Sequence, residues 1–143
     1  MANGNGNGNW KPLKKVRIDD LLTIQPITDN QKIIYDAYKD NKHLLLHGIA
    51  GTGKTFLSLY LALEEVLDPS TVYDDVFIVR SVVSTRDIGF LPGDEQEKVS
   101  IYEAPYRSIC RELFGIKDSY DALKQQGNIK FMSTSFIRGI TIN

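Results

Sequence analysis

The sequence predicts an α/β protein in which a parallel sheet is flanked by helices. Strand candidates at 44–46, 76–79 and 129–132 alternate with segments of helical pattern. Such alternation is typical of strand–helix–strand units, whose strands pair in parallel. A glycine-rich turn joins the first strand candidate directly to the following helix. The 143 residues, 42% of them hydrophobic and 24% charged, are enough for one domain with a core.

The segments before the glycine-rich turn predict a tail, a strand and a helix. Residues 1–10 are an Asn/Gly-rich tail that we expect to be disordered, because almost no apolar side chain is available to bury. An edge strand is expected around Val16 and Ile18. Thr28 has the pattern of a helix N-cap, with Gln31 three residues later as in a capping box. The helix would end at about residue 40.

The glycine-rich turn has the pattern of a phosphate-binding loop. Residues 48–55 fill every fixed position of G-x-x-x-x-G-K-[ST], the Walker A motif of P-loop NTPases. An apolar run at 44–46 precedes it, and a helix over 55–67, ended by Asp68 and Pro69, follows it. The residues predicted to bind the nucleotide here are Gly48, Ile49, Ala50, Gly51, Thr52, Gly53, Lys54 and Thr55.

Each part of this loop has a chemical role. Backbone N–H groups of a glycine turn surround an anion, and the helix N-terminus adds a partial positive charge. Lys54 would contact the β- and γ-phosphates, and the Thr55 hydroxyl would bind the Mg²⁺ ion that bridges them. Lys54 and Thr55 are therefore the catalytic candidates, and Thr55 is the metal-ligand candidate.

The segments after the loop predict two further strands without an acidic end. The strand at 76–79 is followed by Arg80 and a loop over 81–93, and the strand at 129–132 is followed by Ser133. Between them, residues 95–114 read mostly as helix, interrupted at Pro105. Phosphoryl transfer in this class needs an Asp or Glu at the end of an apolar strand, and none of the predicted strands ends in one.

Composition and charge limit the function classes. The net charge of −1 gives no overall basic field of the kind that indicates nucleic-acid binding. Cys110, the single cysteine, excludes an internal disulfide, and its helical context favours a buried structural thiol over a nucleophile. No apolar run approaches the roughly 18 residues of a membrane span, and no signal-peptide pattern is visible. We therefore expect a cytoplasmic location and no membrane partner.

Four segments together resemble the PhoH-like ATPase family, in the branch carried by bacteriophages. They are Thr-Asp-Asn-Gln at 28–31, the phosphate-binding loop at 48–55, the segment 80–94 ending Gly-Phe-Leu-Pro-Gly-Asp, and the segment 133–143. The resemblance covers nearly everything after residue 20, and the segment 80–94 is its most specific part. It implies that residues 11–143 are the N-terminal part of a P-loop NTPase domain. The fold would then be incomplete at its C-terminal end, with the acidic strand following residue 143.

The resemblance implies ATP and Mg²⁺ as ligands, and hydrolysis coupled to work on RNA or another single-stranded nucleic acid. It also implies host cytoplasm for a phage-encoded protein, and it is compatible with a homo-oligomer. Gln31 is open to two interpretations: a helix-capping side chain, or an amide that reads the adenine edge by donating to a ring nitrogen and accepting from the exocyclic amine. The roles of Arg80, Arg86, Asp94 and Arg138 stay open between ligand contact and surface or turn positions.

Two other functions compete with an ATPase. One is a nucleotide-binding module without catalysis, which the missing acidic strand favours. The other is a small-molecule kinase, which is disfavoured because such enzymes usually begin with the phosphate-binding loop, whereas a long segment that includes Gln31 precedes it here.

Overall fold

The computed structural model describes residues 13–81 and 95–134. In the second range, side chains are described only from residue 99 onward. The elements, in chain order, are a 3₁₀ turn at Ile18–Asp20, α1 at Asp29–Lys39, α2 at Lys54–Leu67, β1 at Val76–Arg80, α3 at Glu95–Phe114, α4 at Ser119–Gln126 and β2 at Ile129–Ser133. The predicted tail at 1–10 lies outside the described residues.

The two strands pair in parallel, which confirms the predicted fold class. Val76 lies opposite Ile129, and the register continues to Arg80 opposite Ser133. The Val76 N–H also donates to the Asn128 carbonyl at 2.8 Å, directly before the ladder begins. Strand β1 is rich in β-branched and aromatic residues, which suit a pleated surface. Helices α3 and α4 form the crossover between them.

The core lies between α2, the α3–α4 pair and β2. Leu63 in α2, Leu113 in α3 and Leu123 in α4 are fully buried, and Ile129 of β2 packs in the same cluster. Cys110 is also fully buried, as predicted, and burial raises the pKa of its thiol to about 12. The thiol is therefore neutral and packs as a small apolar group.

The predicted strand at 44–46 is wrong. Residues 42–48 have no regular secondary structure, and Leu45 is 91% exposed. A strand needs a neighbour for its backbone hydrogen bonds. Within the described ranges β1 pairs only with β2, so the apolar run at 44–46 has no ladder to join.

Two smaller predictions also differ from the structure, and one helix was not predicted at all. The edge strand expected around Val16 and Ile18 is an irregular segment followed by the 3₁₀ turn. Helix α3 continues through Pro105 without the predicted interruption. Helix α4 at Ser119–Gln126 was not predicted. It ends at Gly127, whose φ of 83° is left-handed, a common helix C-terminal geometry.

A side-chain amide fixes the segment before the 3₁₀ turn. The Val16 N–H donates to Gln126 Oε1 at 2.7 Å, and Gln126 Nε2 donates to the Val16 carbonyl at 3.0 Å. Val16 is 1% exposed, so both of its backbone polar groups need partners. Gln126 satisfies them as a neighbouring strand would.

None of the helices in the described ranges has the length and apolar character to cross a membrane.

Candidate phosphate-binding site

The glycine-rich loop turns directly into α2. Gly51 has a φ of 84° and Gly53 a φ of 82°, both in the left-handed region that side chains with a Cβ disfavour. A Cβ at either position would meet no atom within 4 Å. Backbone conformation, and not lack of room in the protein, is therefore what requires glycine at these two positions.

Gly53 is the N-cap of α2 and provides no side-chain cap. Among the residues that the structure describes, no side chain accepts a hydrogen bond from the first turn of α2, which begins at Lys54. The first N–H groups of a helix have no partner within the helix, and they carry the positive end of its dipole. An anion is the natural acceptor for such a terminus.

The Lys54 side chain folds back over this loop. Its ammonium group donates to the carbonyls of Gly48 and Ile49, both at 2.9 Å, and lies 3.4 Å from Thr52 Oγ1. The Thr52 hydroxyl in turn donates to the Ile49 carbonyl at 2.9 Å. A positive charge is thereby held against the loop at the uncapped end of α2. Thr55 follows in the first turn of α2 and is exposed.

Helix α1, in contrast, has a complete capping box, as predicted. The Thr28 hydroxyl accepts from the Gln31 N–H at 3.2 Å. Gln31 Oε1 accepts from the backbone N–H groups of Ile27 at 2.8 Å and Thr28 at 3.4 Å. The capping interpretation of Gln31 is therefore confirmed.

A cleft of about 560 Å³ lies between the start of α1, the 45–48 segment and the start of α2. This volume is within the range of small-molecule sites. Its lining residues are Thr28, Asn30, Gln31, Ile33, Ile34, Leu45, Leu46, His47, Gly48, Thr52, Gly53, Lys54 and Leu57. The structure thus brings Gln31 into one cleft with four of the predicted loop residues. The others, Ile49, Ala50, Gly51 and Thr55, do not line it.

The apolar wall of the cleft was not predicted as part of a site. Ile33 of α1 is exposed, and Ile33 and Ile34 both line the cleft. Leu45 also lines it, although the sequence predicted a strand at this position. A sequence signal for these residues exists, because they lie between Gln31 and the glycine-rich loop at 48–55, two segments that were both predicted to contact the nucleotide. No Asp or Glu is among the cleft residues of the described ranges.

Among the arginines left open, only Arg80 lies in the described residues. At the end of β1 its guanidinium donates to the Tyr102 carbonyl at 3.4 Å and lies 5.5 Å from the centre of the Tyr102 ring. This contact ties β1 to α3. Arg86, Asp94 and Arg138 lie outside the described residues.

A glycine-rich loop that leads into an uncapped helix beside a parallel sheet defines a P-loop NTPase. The family model described as "PhoH-like protein" matches residues 23–143, and the chain belongs to that family. A relation to its bacteriophage branch stays a prediction.

Curated relatives carry the same family name. The chain is 32% identical over 142 residues to a PhoH-like protein of Mycobacterium leprae, covering 96% of this chain and 40% of that protein. It is 34% identical over 131 residues to a PhoH-like protein of Synechocystis, covering 91% and 38%. Identity to Protein PhoH2 of Bacillus subtilis is 32% over 138 residues, covering 91% and 31%. The chain therefore spans less than half the length of these relatives. No solved structure matches it.

Proposed function

We propose that the chain binds a nucleoside triphosphate such as ATP, with Mg²⁺, in the cleft between α1 and the glycine-rich loop. The observation that carries the proposal is the uncapped N-terminus of α2 with the Lys54 ammonium held against the same loop. Backbone donors and a positive side chain together suit a polyphosphate. Membership of a P-loop NTPase family supports the same ligand.

The roles within the loop follow from the donors present. The N–H groups of residues 48–55 would surround the phosphates, and Lys54 would contact the β- and γ-phosphates. The exposed Thr55 hydroxyl fits Mg²⁺, a hard cation that prefers oxygen ligands and keeps several waters. When bound, Mg²⁺ would neutralise part of the phosphate charge. Gln31 and the apolar wall of Ile33, Ile34 and Leu45 would hold the base.

Hydrolysis is the first candidate activity, and Lys54 and Thr55 are its catalytic candidates. Nucleotide binding without turnover is the second candidate, because none of the described residues that line the cleft is a carboxylate. Turnover in this class commonly uses one to hold Mg²⁺ and another to orient the attacking water. Work on RNA and assembly into a homo-oligomer rest on family analogy alone, and the net charge of −1 does not favour the former.

One experiment separates the two activities. Titrating the chain with ATP and Mg²⁺ in a calorimeter measures binding, and assaying released phosphate in the same samples measures turnover. The full-length relative from Mycobacterium leprae provides the comparison. Saturable binding with phosphate release supports an ATPase. Binding without release, while the longer relative hydrolyses ATP, supports the binding module. Absence of saturable binding to this chain would refute the proposal.

A further inference from the structure

The amide oxygen of Gln31 is already occupied. It accepts from the Ile27 N–H at 2.8 Å and from the Thr28 N–H at 3.4 Å. An amide oxygen has two lone pairs, so the capping box uses its accepting capacity. Because both neighbours are donors, the atom that faces them must be the oxygen. The opposite amide orientation would set N–H groups against N–H groups.

The amide nitrogen is the part of this side chain that the cap leaves unused. Within the described ranges Gln31 Nε2 forms no hydrogen bond. Gln31 also lines the cleft that contains the glycine-rich loop. Toward a bound ligand, the side chain can therefore offer a donor and no acceptor while α1 stays capped.

We propose that Gln31 reads the base only as a hydrogen-bond donor, to ring nitrogen N7, so that the site takes purine triphosphates without separating ATP from GTP. The proposal rests on the proposed function and specifies its substrate class. Adenine and guanine both present N7 as an acceptor, and beside it adenine carries an N–H donor where guanine carries an oxygen. Selecting adenine at this edge needs an acceptor, and the Gln31 oxygen is committed to the cap.

The apolar residues that line the cleft are consistent with a purine base. Ile33, Ile34 and Leu45 line the cleft, and Ile33 and Leu45 are largely exposed without a ligand. The two fused rings of a purine would cover more of this apolar surface than a pyrimidine. A pyrimidine also lacks N7, so both contributions favour the larger base.

The test compares bases that differ at one atom. Dissociation constants are measured by calorimetry with Mg²⁺ for ATP, GTP and their 7-deaza analogues, in which a C–H replaces N7. ATP and GTP should bind within about threefold of each other, and each 7-deaza analogue should bind about five- to tenfold more weakly, the effect of one neutral hydrogen bond.

A variant of Gln31 assigns the effect to its amide nitrogen. Gln31→Glu keeps an acceptor for the capping box, where Glu is as suitable as Gln, but removes the donor. In this variant ATP and 7-deaza-ATP should bind equally. Gln125→Glu, an exposed position on α4 that does not line the cleft, makes the same charge change and should keep the difference.

The outcomes distinguish this inference from the proposed function. A preference for ATP over GTP above about tenfold would overturn the inference and indicate another acceptor, such as Asn30. Equal binding of ATP and 7-deaza-ATP by the unmodified chain would also overturn it. In both cases the triphosphate site itself would stand. If no triphosphate binds, the proposed function fails and the inference fails with it.

Discussion

Replacing Lys54 with alanine should weaken triphosphate binding strongly and leave the fold almost unchanged. The ammonium group contacts the Gly48 and Ile49 carbonyls and the Thr52 hydroxyl, and all three residues are exposed. Water can replace the ammonium at these acceptors, so the free energy of unfolding should change by less than about 0.5 kcal/mol.

The effect on binding should be much larger. A hydrogen bond between an ammonium and a phosphate is charged on both sides and contributes about 1.5–3 kcal/mol. Losing it corresponds to a roughly 10- to 150-fold higher dissociation constant for ATP. Calorimetric titration measures this constant, and urea unfolding measures the stability of the same samples.

Lys42 provides a matched control. It follows α1 and its side chain is 67% exposed, 4.0 Å from Asp40. Lys42→Ala removes the same charge but lies outside the cleft, so ATP binding should change by less than about twofold. Unchanged binding in Lys54→Ala would refute the role of the lysine. An equal loss in both variants would show a general charge effect.

Three further predictions concern stability, all measured by urea unfolding. Thr28→Ala removes the N-cap of α1 and should lower the free energy of unfolding by about 1 kcal/mol, whereas Thr28→Ser should keep it. Tyr120→Phe removes a hydrogen bond to the Glu103 carboxylate, which is 4% exposed, and should cost about 1–3 kcal/mol, whereas the same change at exposed Tyr73 should cost little. Burial raises the pKa of the Cys110 thiol to about 12 in the folded protein. The stabilisation that results is complete at pH values below the pKa of the unfolded chain, and it is lost as the pH rises toward the pKa of the folded protein. Unmodified protein should therefore lose about 1–2 kcal/mol more than Cys110→Ala between pH 8 and pH 10, and parallel pH curves would contradict this.

Elements with local signals were predictable from the sequence. The capping box at Thr28 and Gln31 marks the start of α1, and the uninterrupted apolar pattern before Asp68 marks the length of α2. Both strands were predicted to within one residue. In each case the signal is either an interaction between residues close in sequence or a local pattern of apolar residues.

Elements that depend on distant partners were not predictable in this way. The apolar run at 44–46 has the composition of a strand, but a strand exists only where a second one supplies hydrogen bonds. Helix α4 is short and polar on one side, and its buried residues Tyr120 and Leu123 acquire their place by packing against α3 and β2. Pro105 weakens α3 locally without ending it, because tertiary packing outweighs propensity.

The same distinction between local and distant contacts applies to the candidate site. The glycine-rich loop could be recognised from the sequence as a candidate for phosphate binding, because its eight positions are contiguous at 48–55. That Gln31 shares a cleft with Lys54 was expected only from a family resemblance, since the two are in separate helices. Which atom of the Gln31 amide is left for a ligand depends on a hydrogen-bond network that only coordinates reveal.

The paired hydrogen bonds between Val16 and Gln126 have a consequence for the order of folding. They join segments 110 positions apart, so closing this contact costs more chain entropy than forming any of the helices. The contact should therefore form late, after α2 and α4 have packed. In the native protein the amide proton of Val16 can exchange with solvent only when Gln126 releases it. The segment before α1 can therefore open only when the Gln126 side chain, at the end of α4, gives up its hydrogen bonds to Val16.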